Sequence, residues 1–347
     1  MKKLKTQSKY IIISAIILLG IILIVVITNV IRTCVVNELK YNKTLNLLLH
    51  SNNAIKWSDE TFEKVARISL NKPTGVITIG DCAKIKRFQC VNNSINNLSD
   101  IKYFSNLTSL TIGEGNISDL TPLKNLKKLE SLEIYNNNIS DISPLAELSE
   151  LRYINLNQNK ISDISPIANL SNLEKLDFDR NQISNITPIT SLKKLNSLSI
   201  QENKIQDISP VSDMINLTEL FLGYNQINNI MAVEKLVNLN KLYLDGNQIS
   251  NITPITSLKK LNSLSIQENK IQDISPVSDM INLTELFLGY NQINNIMAVE
   301  KLVNLNKLYL DGNHISDINP ISNLNNLTIL GLHNNFISTP GYTKNFV

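Results

Sequence analysis

Three cysteines in 347 residues are too few to frame a scaffold with disulfides. Glycine and proline together number 21, which excludes collagen and the Gly/Pro-rich low-complexity classes. Histidine occurs only as His50, His314 and His333, and no Cys/His cluster has metal-ligand spacing. There is no glycine-rich phosphate loop and no nucleophile motif. The sequence therefore offers no catalytic residues, no metal ligands and no cofactor site. Aromatic residues are also scarce, at 19, so their placement carries information.

A formal charge of +3 is small, and it is unevenly placed. Residues 1–32 hold Lys2, Lys3, Lys5, Lys9 and Arg32 and no acid. Subtracting those five leaves 28 basic residues against 30 acidic ones, so the remainder is slightly acidic. Nothing in it favours phosphate or nucleic acid.

Ile11 to Ile31 is an apolar run broken only by Ser14, Gly20, Thr28 and Asn29. As a helix, its 21 residues span about 31 Å, close to the hydrocarbon thickness of a bilayer. The run exceeds the apolar stretch of a typical cleaved signal, and Asn29-Val-Ile-Arg-Thr-Cys34 has no clear cleavage pattern. Nor do small residues precede Cys34 as in a lipoprotein. With four lysines before the run, the positive-inside rule places the N-terminus in the cytoplasm. The expected order is a cytoplasmic tail over 1–10, a single-pass signal anchor over 11–31 and a linker over 32–56, with the rest extracellular. Secretion after signal cleavage is the alternative.

Self-similarity is the strongest feature. From Leu107 the template L-x-x-L-x-L-x-x-N-x-I-x-x-I returns every 22 residues, at Leu129, Leu151 and onward to Leu327, without insertion or deletion. A degenerate copy precedes it at Ile85, Phe88, Cys90, Asn93, Ile95 and Leu98. Counting the first leucine as position 1, positions 4 and 6 alternate with polar neighbours as a strand does. Position 9 is Asn from Asn137 to Asn335, with Gly115 the exception, and its amide can donate and accept between stacked coils. Position 16 is Pro in eight repeats, preceded by Ser, Thr or Asn, which predicts a capped short helical turn. Position 20 (Leu148, Leu170, Met214) returns that turn to the core. Asp or Asn at position 13 reads as structural, since the repeats alternate between them. One coil cannot bury its own leucines, so the coils must stack. The predicted fold is an α/β repeat: a leucine-rich repeat solenoid over 85–347, with a parallel concave sheet and short convex turns.

The block Gln182–Asn247 recurs without a difference as Gln248–Asn313, three repeats in all. This identity points to recent tandem duplication and a tolerated repeat number. Residues 57–84 read as a helical N-terminal cap. Ser58 is its expected N-cap, Trp57 and Phe62 stand at staple spacing, and Phe62, Val65, Ala66 and Leu70 face the array. Cys82 and Cys90 occupy apolar slots and read as buried thiols, with a bridge as the alternative. Phe336, Ile337, Tyr342, Phe346 and Val347 are all that could cover the far end.

The motif N-x-I-S-D-I-S-P-L at Asn137–Leu145, its later variants and the cap from Trp57 resemble the leucine-rich repeat region of bacterial internalins over residues 57–338. The resemblance implies a surface or secreted protein that grips a partner protein with its concave face. Internalins usually continue into an immunoglobulin-like domain and often a wall-sorting signal. This sequence shows neither through Val347, so the resemblance implies a surface-binding role more than host-cell invasion.

Positions 3, 5 and 7 should face concave solvent, with position 8 at the edge. Eight of the 19 aromatics fall there: Tyr135, Tyr153, Phe221, Tyr224, Tyr243, Phe287, Tyr290 and Tyr309. Glu219, Lys241, Asp245, Glu285, Lys307 and Asp311 flank them. Aromatics among mixed charges are the composition of a protein-binding patch. The expected ligand surface is these fourteen residues and the expected ligand a protein. A glycan or an envelope-scaffold role are the other readings.

Overall fold

The computed structural model describes residues 19–41, 54–91 and 95–337. Two compact units divide the chain: residues 1–56 with 75–80, and residues 57–74 with 81–347. The first contains helix α1, Leu19–Tyr41, which is long and apolar enough to cross a membrane. It continues past Ile31 well into the segment expected to be linker. Its hydroxyls are satisfied along its own backbone, Thr28 donating to Ile24 O at 2.9 Å and Thr33 to Asn29 O at 2.8 Å. The residues of the expected span before Leu19 lie outside the described residues. In the same unit Ala54 bridges Thr78, and Ile55 N donates to Ile77 O at 3.0 Å.

The second unit begins with helix α2, Glu60–Ser69. Glu60 and Glu63 in its first turn and Arg67 in its last suit the helix dipole. Its N-cap is Asp59, whose carboxylate accepts from Thr61 N at 2.7 Å, and not Ser58 as expected. The amides of Ser58 and Asp59 both donate to the buried carboxylate of Asp100, at 2.8 and 3.0 Å, which fixes the chain one residue later. Phe62, Val65 and Ala66 are buried, while Leu70 is only half-buried. Phe62 stacks on Phe88 with ring centroids 5.1 Å apart, and Phe104 meets Phe88 edge-on at 5.1 Å. Trp57 packs on Tyr103 and Phe104, so the expected staple is made to the first coil. A single turn, α3 (Ile79–Cys82), follows. Cys82 and Cys90 are buried thiols; burial, with the Asp81 charge second, pushes Cys82 up to about 12. Burial raises Cys90 as well.

Twelve strands then form one parallel sheet in strict chain order. They are β1 Arg87–Cys90, β2 Ser109–Gly113, β3 Ser131–Tyr135, β4 Tyr153–Asn155, β5 Lys175–Asp177 and β6 Ser197–Ser199, followed by β7 Glu219–Phe221, β8 Lys241–Tyr243, β9 Ser263–Ser265, β10 Glu285–Phe287, β11 Lys307–Tyr309 and β12 Ile329–Gly331. The register is the sequence period, so Leu110 pairs with Leu132 and Leu220 with Leu242. Positions 4 and 6 point inward, and residues such as Leu198, Ile200, Leu220 and Leu222 are fully buried. Full burial of each such side chain contributes about 1.5–3 kcal/mol.

The Asn ladder binds coil to coil. Asn159 Oδ1 accepts from Ile139 N of the preceding coil at 3.0 Å, and its Nδ2 donates to Ile134 O at 2.9 Å and Leu156 O at 3.0 Å. The later members, from Asn181 through Asn313, repeat this coil-to-coil pattern and are buried. Gly115 departs from it because a Cβ there would stand 2.6 Å from Ile95 O and 2.8 Å from Asn137 Oδ1. The convex turns are 3-10 turns, not α-helical ones. The hydroxyl residue before Pro is the first residue of the turn and does not cap it. The cap comes from position 13, as where Asp141 Oδ1 accepts Ser143 N at 2.8 Å and Asn185 Oδ1 accepts Thr187 N at 2.9 Å. Asp and Asn do the same work, which explains their interchange. At position 8 every coil from Glu114 to Asn334 takes a positive φ of 52–64°, yet only Gly246 and Gly312 are glycine there.

The array ends less well covered than it begins. Leu327, Leu330 and Leu332 are half-buried, and Ile329 is exposed. Of the expected cover, Phe336 is exposed and stacks on His314, while Tyr342, Phe346 and Val347 lie outside the described residues.

Candidate functional site

Because position 5 side chains stand on the concave side between leucines, their environment is set by the same position in the neighbouring coils. Six of the eight aromatics are half-buried by those neighbours: Tyr135, Tyr153, Phe221, Tyr243, Phe287 and Tyr309. Only Tyr224 and Tyr290, at the position 8 edge, are exposed, at 48% and 56%. The expectation of eight exposed rings is thus corrected, since the position 5 rings and Tyr153 lie against the next coil and Tyr135 lies against the preceding one. Phe221 and Tyr243 meet edge-on with centroids 5.0 Å apart, and Phe287 and Tyr309 stack at 5.2 Å. Such pairs hold a flat apolar surface in place without costing much side-chain entropy.

The charged members are tied into ladders. Glu219 accepts from Lys241 Nζ at 3.0 Å and from Ser197 Oγ at 3.1 Å. In the duplicate Glu285 accepts from Lys307 Nζ at 2.8 Å and from Ser263 Oγ at 2.9 Å. The lysine bond holds each glutamate below its ordinary range and raises the lysine above its own. Asp245 faces inward across the ladder: its Oδ1 accepts from Ser265 Oγ at 2.5 Å and Gln267 N at 2.7 Å, and burial raises its pKa. Asp311 accepts from His333 N at 2.8 Å. Both aspartates therefore make bonds between coils.

Two tyrosines reach along the array. Tyr224 lies over Gly246, where a Cβ would collide with its ring, and its hydroxyl stands 3.3 Å from Glu268 Oε1, two coils away. Burial first, then the Glu268 charge, raises the Tyr224 hydroxyl. Tyr290 covers Gly312 in the same way. Tyr135 stands apart from this group and leans back over Gly113.

A concave depression lies beside the first aromatic pair. With a volume of about 750 Å³, it opens over β6, between Tyr153 on one side and Phe221 and Tyr243 on the other. Its floor is Ser197 and Ser199, both buried. Asp177 and Asp179 line the near rim, with Gln201 beside them. Tyr153 Oη donates to Asp177 Oδ2 at 2.9 Å, and Asp179 Oδ1 accepts from Ser199 Oγ at 2.6 Å and Gln201 N at 2.7 Å. Burial, the largest cause, raises Asp177, and burial together with the Asp177 charge raises the Tyr153 hydroxyl. The signal in the sequence was a pair of serines at positions 3 and 5 between two coils with large side chains there.

Two family descriptions match the chain: Leucine Rich repeats (2 copies), over residues 127–169 and 171–213, and Leucine rich repeat, over residues 193–249 and 259–315. No curated protein sequence matches it. Among solved structures, an internalin, InlF from Listeria monocytogenes, is 37% identical, with 80% of this chain and 83% of that one covered and a TM-score of 0.77. The functional domain of InlJ from the same organism shares the fold at 21% identity and a TM-score of 0.61, covering 81% of this chain and 70% of that one. So does a plant peptide hormone receptor, RGFR1 in complex with RGF2, at 22% identity and 0.61, over 74% of this chain and 49% of that one. With the repeat period, the Asn ladder and the helical cap in place, the chain belongs to the internalin-like leucine-rich repeat proteins.

Proposed function

We propose that this is a membrane-anchored surface protein that holds a partner protein against the concave face of its repeats. The observation that carries the reading is the strip of paired rings, Phe221 with Tyr243 and Phe287 with Tyr309, set among charged ladders on one face. The inward positions are already filled, so core packing does not account for aromatics there. Rigid, half-buried rings with mixed charge are the usual anchors of protein interfaces. The solved plant receptor in complex with RGF2 supports a protein ligand for the fold in general.

The anchor reading rests on α1 and the lysines that precede the apolar run. By the positive-inside rule these lysines support a cytoplasmic N-terminus and outward repeats. Secretion after cleavage is the alternative, and the size of the protein recovered from membranes distinguishes the two.

The test is capture with the full chain in detergent, from envelope membranes and from animal-cell surfaces in parallel. The double variant Phe221→Ala with Phe287→Ala should lose a captured partner at least tenfold while its far-ultraviolet spectrum and melting stay near wild type. Capture that ignores both substitutions sinks the concave-face reading. An envelope protein as the partner moves the role to scaffolding, and retention of glycan alone moves it to carbohydrate binding.

A further inference from the structure

The exact duplication supplies an internal comparison. The floors of two troughs, Ser197 and Ser199 on β6 and Ser263 and Ser265 on β9, are the same residues in the same setting, and so are their far rims, Phe221 with Tyr243 and Phe287 with Tyr309. Their near rims differ, because these come from the preceding coil. The first trough has Asp177 there and the second has Tyr243. Tyr243 reaches over its trough and its hydroxyl stands 3.0 Å from Ser263 Oγ. Asp177 is drawn the other way, toward Tyr153 Oη, and makes no bond to Ser197, which bonds Glu219 instead. One trough is closed by a tyrosine and the other stays open.

We infer that the open trough over β6 receives a lysine or arginine side chain at the tip of a partner protein's loop, an inference that rests on the protein-binding reading of the concave face. Three strand intervals separate the Tyr153 wall on β4 from the Phe221 wall on β7, so the trough is about 14 Å across, wide enough for a loop tip but not for a folded domain. A volume of about 750 Å³ accommodates a loop tip of a few residues. Its walls are rings, Tyr153, Phe221 and Tyr243, which suit the aliphatic stem of a long basic side chain and attract its charged head.

Charge selects the head group. Of the four carboxylates lining the depression, Glu174 is paired with Arg152 at 2.5 Å and Glu219 with Lys241 at 3.0 Å. Asp177 and Asp179 remain without an ion pair among the described residues; the charge of the exposed rim residue Lys175 reaches Asp177, and those of Asp179 and Glu133 oppose it. Asp177 has one oxygen held by Tyr153, and no hydrogen bond reaches the other among the described residues. Half-buried between rings, it is poorly solvated and poorly paired, and an incoming cation relieves both. An acidic side chain would meet two carboxylates, and an apolar one would strip water from Asp177 without replacing it.

The test titrates the full chain in detergent with acetyl-Gly-Gly-Arg-Gly-Gly-amide, with its citrulline counterpart and with a neutral hexasaccharide. The arginine peptide should bind with a Kd on the order of 1 mM or tighter, and the citrulline peptide at least tenfold more weakly. Asp177→Asn should weaken the arginine peptide at least tenfold. Asp177→Tyr, which copies the closed trough, should abolish its binding. Equal binding of the two peptides, or binding unchanged in both Asp177 variants, overturns the inference, as does failure of the arginine peptide to bind. Binding of the hexasaccharide that Asp177→Tyr abolishes replaces it with a glycan site. If arginine-dependent binding ignores Asp177 yet falls in Phe287→Ala, away from the trough, the concave face still binds and only the trough assignment fails. If capture of partner protein ignores the Phe221 and Phe287 rings, the wider reading fails with it.

Discussion

The amide of Ser58 lies 2.8 Å from Oδ2 of Asp100, a carboxylate 1% exposed and 42 residues further along the chain. With the Asp59 amide at 3.0 Å on the same oxygen, it fastens the start of α2 to the first coil. Hydrogen bonds to a charged group contribute about 1.5–3 kcal/mol, and removing the acceptor leaves two amides without it. Asp100→Ala should therefore cost roughly 2–4 kcal/mol and let the cap open ahead of the array. Amide exchange over 60–69 should quicken many-fold while 195–245 stays protected. Uniform loss of protection across both would show that Asp100 supports the whole array and not the cap.

The Asn ladder should weigh more inside the array than at its end. Asn203 satisfies Ile183 N at 2.9 Å and Phe178 O at 2.9 Å, and is 9% exposed. Asn203→Ala leaves buried backbone groups unpaired and should cost about 2–4 kcal/mol. Asn335 makes the same bonds half in solvent, where water can replace it, so Asn335→Ala should cost about 1 kcal/mol or less. Urea unfolding of the two variants gives the comparison, and equal losses would contradict it.

Position 8 stores backbone strain in most coils. Gln158 has φ +56°, a conformation that costs a residue with a side chain about 1–2 kcal/mol. Gln158→Gly should raise stability by about 0.5–1 kcal/mol once glycine's extra chain entropy is set against that strain. Gly246→Ala should do the reverse and also strike the Tyr224 ring. Adding Tyr224→Ala should recover part of the Gly246→Ala loss, and a double-mutant cycle with zero coupling would exclude the contact.

How far these features can be read from the sequence depends on how local they are. The register, the inward leucines and the Asn ladder follow from one 22-residue period, because each coil meets the same neighbours. The cap contact of Asp100 does not, since it joins a degenerate coil to a segment outside the period. The sequence points to a hydroxyl cap at position 15 where position 13 supplies the bond, because both residues suit an N-terminus and only the geometry of the 3-10 turn selects between them. The open trough depends on Tyr153 reaching Asp177 in the next coil and on Tyr243 reaching Ser263. Those reaches are set by which large side chain stands beside which small one across coils. A list of aromatics therefore named its rims and passed over its floor and its acids.

Asp177 should be a poor choice for stability. Burial raises its carboxyl above the ordinary range, so the folded chain takes up its proton more readily than the unfolded chain. That preference favours folding at low pH and is lost as pH rises through the raised value, above which the ionised group opposes folding. Asparagine keeps an acceptor for Tyr153 without the charge. The melting temperature of Asp177→Asn relative to wild type should therefore rise from pH 3 toward pH 7, the other titrations cancelling in the difference. A relative fall over that interval would mean that the charge is compensated in place, and would weaken the case for an incoming cation.

Deleting residues 248–313 is the most direct probe of the array. The cut joins Asn247 to His314, position 9 to position 10, so the period is unbroken. No new coil junction arises, because Lys241, Tyr243 and Asp245 then meet Ile329, Gly331 and His333 as Lys307, Tyr309 and Asp311 do in the full chain. With stability set by coils and their nearest neighbours, the shortened protein should fold with the same secondary structure per residue. It should be about 14 Å shorter in solution scattering, three strand spacings. Its arginine-peptide affinity should stay within a factor of three, since the trough over β6 and its rims are all retained. A partner that spans both aromatic pairs should bind at least tenfold more weakly, whereas one that uses only the first pair should bind as before. The deletion thus separates a long footprint from a short one, and loss of the peptide in a folded deletion variant would show that the trough draws on coils beyond Tyr243.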